Sequence, residues 1–132
     1  MTIQRGFIYR SPWLYRMAMR TPLKNHYRTF YESVACRIPE GASVLDLCSG
    51  PGTLYDFLLK KSVKYTALDA NESFISHLER RFVPAVQCDL NNHQALPKAD
   101  YVVMMGSLYH FMPNSQSILS KMFGAATLFF GN

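Results

Sequence analysis

The chain has 132 residues, 48% hydrophobic and 17% charged, with a formal net charge of +5. That length holds one domain with a sizeable core, and no apolar run approaches the ~20 residues of a membrane span. The charge is lopsided: residues 1–37 carry seven arginines and lysines against the single acid Glu32, and the rest of the chain carries seven against eight acids.

The basic excess therefore belongs to an amino-terminal arm. Such an arm faces nucleic acid, an anionic membrane surface or an acidic substrate, or is simply a solvated helix face, the commoner case. Arginines interrupt the stretch that would otherwise resemble a signal peptide, so a soluble cytoplasmic protein is expected. Cys36, Cys48 and Cys88 are odd in number and unpaired in spacing, which predicts buried free thiols and neither a disulfide framework nor a zinc site. His26, His77, His93 and His110 are too scattered for a metal motif, and no metal is expected.

In chain order, Ser11-Pro12 and Thr21-Pro22 read as helix starts, each a capping hydroxyl followed by a proline suited to the first helical position. The first helix would carry Trp13, Leu14 and Met17. The second, over residues 22–37, would set Leu23, Tyr27, Phe30, Tyr31 and Val34 along one apolar stripe. Pro39-Glu40-Gly41 is a turn. Strands and helices then alternate: strand 43–48, helix 53–61, strand 64–68, helix 72–81, strands 85–88 and 101–105, helix 114–122 and strand 126–130. Asn71 is placed to cap the helix that buries Phe74, Ile75 and Leu78. The βαβ series predicts an α/β fold: a parallel sheet with helices on both faces and ligands at the carboxyl ends of the strands.

Chemistry concentrates in Ser43 to Asp56, S-V-L-D-L-C-S-G-P-G-T-L-Y-D, which reads as strand, glycine turn and helix. Glycines there let the backbone approach a ligand closely, although any doubly wound fold needs such a turn. The second strand ends in Asp69-Ala70-Asn71, about 20 residues further on, where a carboxylate can accept both hydroxyls of a ribose. A dinucleotide would need a third glycine where Tyr55 stands, and no G-K-[ST] of a phosphate loop follows. The pattern fits a nucleoside without phosphates.

The stretch V-L-D-L-C-S-G-P-G, with A-L-D-A-N downstream, resembles the class I S-adenosylmethionine-dependent methyltransferases over roughly Gly41 to Asn132. The resemblance implies a Rossmann-like, mostly parallel sheet of order 3-2-1-4-5, with residues 1–40 a helical cap over the pocket of a single domain. It implies S-adenosylmethionine as cofactor and S-adenosylhomocysteine as product. Asp46 would organise the methionine ammonium; Cys48, Ser49, Gly50, Pro51 and Gly52 would supply the turn; Asp69, Ala70 and Asn71 would hold the ribose. Asp89 and Leu90, after the third strand, would take the adenine, unless Asp89 is merely a loop carboxylate or helix cap. Met105, Gly106 and Ser107 would border the methyl group, with Tyr109 and His110 as candidates to orient or deprotonate a nucleophile, or else packed in the loop. Tyr9, Tyr15 and Tyr27 are weaker substrate or cofactor candidates.

The expected activity is methyl transfer to a small-molecule, lipid or other nucleophile. The loop after the fourth strand lacks the [DNS]-P-P-[YFW] motif of many nucleobase amino-methylases, so a nucleic-acid acceptor is not favoured. The family usually adds a sixth and an antiparallel seventh strand, whereas this sequence stops just after Ala126-Thr127-Leu128-Phe129-Phe130. An apolar edge left there templates pairing, so either a truncated form or a homodimer covering that edge is expected. Two other readings stay open: a cofactor-binding or assembly module without turnover, and a nicotinamide-dependent oxidoreductase, against which Tyr55 argues.

Overall fold

The computed structural model describes residues 11–13, 24–92, 95–107 and 111–127. Leu14 and Met17 of the expected first helix, the side chain of Tyr27, the residues Tyr9, Tyr15, Tyr109 and His110, and most of the expected strand 126–130 lie outside them. The described elements, in order, are α1 (Lys24–Arg37), β1 (Ser43–Leu47), α2 (Thr53–Leu58), β2 (Lys64–Asp69), α3 (Glu72–Arg80), β3 (Ala85–Gln87), β4 (Tyr101–Met104) and α4 (Ser115–Ala125).

The four strands form one parallel sheet of order β3-β2-β1-β4. This is the Rossmann-like arrangement expected, in which sequence order reverses beside β1. No fifth strand is present among the described residues, although Ala126 bridges in parallel to Ala99, just before β4. Several boundaries fall short of or beyond the expected ones. β1 stops at Leu47 because Cys48 turns into left-handed backbone, φ +55°; α2 stops at Leu58 rather than residue 61; α4 runs three residues past 122.

Alternation along the strands divides the core. Val44, Tyr65 and Ala67 join Ala35 of α1 and Ile38 just after it, Leu54 and Leu58 of α2 and Leu78 of α3 on one face. Leu45, Leu47 and Leu68 join Leu90, Ala99 and Ile118 of α4 on the other. β1 is buried on both faces, as a central parallel strand should be. The expected stripe of α1 shifts: Tyr31 and Val34 pack against the core, but Phe30 is 53% exposed and Ala35 takes the buried position. Cys36, expected buried, is exposed; Cys48 and Cys88 are half-buried, and all three are free thiols.

Two polar devices fix this frame. The Lys61 ammonium donates to the carbonyls of Ala35 (2.5 Å) and Ile38 (2.8 Å), satisfying acceptors at the negative end of α1. At the amino ends of β1 and β4, Ser43 N–H donates to Asp100 Oδ2 (3.0 Å) while Asp100 N–H donates to Ser43 Oγ (2.8 Å). Thr127 Oγ1 donates to Asp100 Oδ1 at 3.0 Å. These bonds hold the Asp100 carboxyl below its usual range, the Ser43 N–H first among them.

Candidate functional site

At the opposite, carboxyl end of the sheet, the chain after β1 makes a tight turn. Ser49 N–H donates to Leu68 O (3.2 Å), carrying the β1–β2 ladder one step beyond the strands. Gly50 and Gly52 both adopt positive φ, +58° and +83°, conformations that favour glycine. At Gly52 the need is double, because a Cβ there would stand 2.5 Å from Leu78 Cδ2. The turn is therefore pressed onto α3, with Pro51 fully buried inside it.

Asp69, at the tip of β2, reaches across to this turn. Its Oδ2 accepts the Gly50 N–H at 2.9 Å and its Oδ1 accepts the Asn71 N–H at 2.8 Å. One carboxylate thus joins the β1 and β2 tips through main-chain donors. Asn71 in turn caps α3, its side chain accepting from Ser73 N–H at 3.0 Å, as the sequence predicts. Ala70 O accepts from the Gln87 side chain (3.2 Å), and Asp69 O accepts the Cys88 N–H (3.0 Å), so the β3 tip is tied to the same place.

Asp46 lies within β1, 3% exposed. Its Oδ2 accepts the Tyr65 hydroxyl at 2.6 Å. Burial pushes its carboxyl up to about 7, opposed by the Tyr65 bond and reinforced by the charge of Asp69. The Tyr65 phenol is itself driven upward, by burial and then by Asp46. Burial also pushes the Cys48 thiol up to about 12, helped in turn by Asp69, Asp46, Cys88 and Asp89. Acids of β1, of β2 and of the turn after β3 thereby all bear on Cys48. Neither Cys48 nor Cys88, also raised by burial first, is a thiolate at neutral pH, which excludes them as ready nucleophiles.

Beyond β3, Asp89 is exposed and accepts the Asn91 N–H (3.0 Å) in its own turn, whereas Leu90 is 3% exposed in the core. Lys121 of α4 donates to Leu90 O at 2.6 Å and holds that turn down. On the other side, Leu47 is paired with Met104, so Met105, Gly106 and Ser107 continue beside the β1 tip. Gly106 has φ +70° with open space around its missing Cβ, and Ser107 Oγ donates to Met105 O at 3.5 Å. Hydrogen bonds thus tie Ser49, Gly50, Asp69, Ala70 and Asn71 together, with Cys48, Pro51 and Gly52 in the same turn; Asp46 and Asp89 bear on Cys48 through charge alone, and Met105 to Ser107 are adjacent by register alone.

Two participants are absent from the expected set. Tyr65 falls in the expected strand 64–68, and strand parity puts Tyr65, Ala67 and Asp69 on the face that Asp46 shares. Tyr55, in place of a third glycine, packs its ring against Tyr65 (centroids 5.2 Å apart) under the Arg81 guanidinium, itself bonded to Asp56 at 2.6 Å. Among the described residues no His, Cys, Asp and Glu side chains are grouped to hold a metal, and no helix is long and apolar enough to cross a membrane.

A switch point beside β1, lined by a glycine turn and an acid from the next strand, is the place where open α/β domains bind their ligands. The family described as a methyltransferase domain matches residues 44–126, and the chain belongs to it. No curated protein matches the chain in sequence. Among solved structures, the chain is similar to coclaurine N-methyltransferase bound to N-methylheliamine and SAH: TM-score 0.66, 23% identity, covering 78% of this chain and 33% of that one. A putative S-adenosyl-L-methionine-dependent methyltransferase from Methanococcus maripaludis gives TM-score 0.65 at 20% identity, covering 86% and 58%. A SAM-dependent methyltransferase from Geobacter sulfurreducens in complex with S-adenosyl-L-homocysteine gives 0.55 at 19%, covering 70% and 43%. The chain thus spans between a third and three-fifths of these proteins' lengths. At such identities the likeness is one of fold.

Proposed function

We propose that this domain binds S-adenosylmethionine at the carboxyl ends of β1 to β3 and takes part in methyl transfer to a small-molecule or lipid nucleophile. The observation that carries the reading is the 2.9 Å bond between Gly50 N–H and Asp69 Oδ2, which unites the bare turn and the acid in one site. A carboxylate oxygen accepts more than one hydrogen bond, so Asp69 can hold the turn and receive ribose hydroxyls together. The acidic surroundings that raise Cys48 suit a ligand bearing a sulfonium and an ammonium and are ill-matched to a pyrophosphate. Tyr55, packed on Tyr65, fills the place where a dinucleotide pattern needs glycine.

In this reading Asp46 receives the ammonium end, Gly50 and Gly52 leave room for the backbone approach, and Asp89 with Leu90 receives the adenine. Met105, Gly106 and Ser107 border the methyl group. The cofactor supplies a methyl already activated on sulfur, so the chain contributes alignment and a matched charge environment. α1 belongs, in this reading, to the cover of the site.

Calorimetry with S-adenosylhomocysteine tests the binding: one site with micromolar or tighter affinity is expected, and none would sink the proposal. A labelled-methyl assay against small-molecule and lipid acceptors then tests transfer. Binding without any methylated product would assign the domain to cofactor binding alone.

A further inference from the structure

We propose that Tyr65 is a positioning residue for the cationic end of the ligand: by donating to Asp46 Oδ2, its hydroxyl orients that carboxyl and favours its charged form for an incoming ammonium. The inference rests on the reading of the site given above. Its basis is geometric. Tyr65 is 4% exposed and Asp46 3% exposed, the bond between them is 2.6 Å, and the two side chains share the sheet face covered by α1 to α3. The Tyr65 ring packs against Tyr55, which sets its hydroxyl against the Asp46 carboxyl inside the packed layer.

Among the described residues, the charged and titratable groups bearing on this pair come from each element packed around it, including Arg81, which stands over the Tyr55 ring and bonds Asp56. Asp69 at the tip of β2 disfavours charge on Asp46. Tyr31 of α1 and Asp56 of α2 act on Tyr65 in the same direction as Asp46 does, and Cys48 is raised by Asp46 from its own turn. Against burial and Asp69, the Tyr65 hydroxyl is the group that favours the Asp46 carboxylate. Removing it therefore leaves an acid that stays protonated to higher pH and offers an ammonium less charge.

The test is the affinity of Tyr65→Phe and of the parent for S-adenosylhomocysteine, measured by calorimetry across pH. The ratio of the two Kd values cancels the ligand's own titration. It should be about tenfold near pH 7 and narrow towards unity by about pH 9, where both carboxyls are charged. A ratio that stays constant with pH would mean a merely structural role and overturn the proposal.

Should Tyr65→Phe fail to fold, the comparison moves to Asp46→Asn with and without Tyr65→Phe, where no buried charge is orphaned. There the second substitution should leave Kd unchanged, and a persisting tenfold loss would overturn the proposal. Failure of the parent chain to bind S-adenosylhomocysteine would instead overturn the functional reading on which this one rests.

Discussion

The tips of β2 and β3 both end in an acid, yet they are built differently. Asp69 is half-buried and clamped by two main-chain donors from separate segments, Gly50 and Asn71. Asp89 is exposed and accepts from Asn91 within its own turn, while its neighbour Leu90 is buried under Lys121. A carboxylate that organises the backbone around it presents the same face whether or not a ligand is there. One that belongs to a local turn is free to adjust. The comparison teaches that the β1–β2 side is tied across two segments and the β3 tip only within its own turn, so under the proposed function the first should set the site's position and the second adjust to what fills it.

The largest expected effect lies at the buried end of this contrast. Asp46 keeps its proton up to about pH 7 when folded but only to about pH 4 when unfolded. Between those values the folded state binds more protons, so stability falls as pH rises, by up to roughly 4 kcal/mol once both forms are ionised. Asp46→Asn, which keeps an acceptor for Tyr65, should flatten that slope in urea titrations taken across pH; an unchanged slope would remove Asp46 as its source.

Gly52→Ala comes next. The left-handed backbone and the 2.5 Å approach to Leu78 Cδ2 should together cost about 2–4 kcal/mol in a denaturant melt, since Leu78 is fully buried and has nowhere to move. Asp69→Ala removes charge-assisted hydrogen bonds worth about 1.5–3 kcal/mol, and should weaken S-adenosylhomocysteine binding by roughly one to two orders of magnitude. Calorimetry checks this, and equal affinity would take Asp69 out of the site. Asp89→Ala should weaken the same binding less, by about tenfold or under, since the exposed Asp89 carboxylate makes its bond in competition with water. Were Asp89→Ala the more damaging of the two, the contrast between the tips would be reversed.

The smallest expected effect is remote from both tips. The bonds to Asp100 that lower its pKa give stability that is present above the usual carboxylate range and lost as pH falls through it. Asp100→Asn should blunt that acid-side loss in thermal melts below about pH 4 without changing ligand affinity at neutral pH.

Much of this was legible in the sequence because the signals are local. Glycines at 50 and 52, the cap at Asn71 with its buried Phe74, Ile75 and Leu78, and the acid ending β2 all declare themselves within a few residues. What was not legible depends on distant pairing. Tyr65 meets Asp46 only because β1 and β2 run parallel with Val44 opposite Tyr65 and Asp46 opposite Ala67. The shift of the α1 stripe from Phe30 to Ala35 depends likewise on how the helix is rolled against β1 and α2, where Tyr31 stacks on Phe57 at 5.7 Å. The exposure of Cys36 follows from the same roll, as it does not from residue type.

The reciprocal clasp between Ser43 and Asp100 sits at the amino ends of β1 and β4, far from the glycine turn, yet it bears on which way the acid in the middle of β1 points. Side chains alternate along a strand, so a slip of one residue would rotate Asp46 away from Tyr65 and into the apolar layer beneath α4. A serine and an aspartate at the other end of the strands thus add to the register that keeps Asp46 on the face of Tyr65.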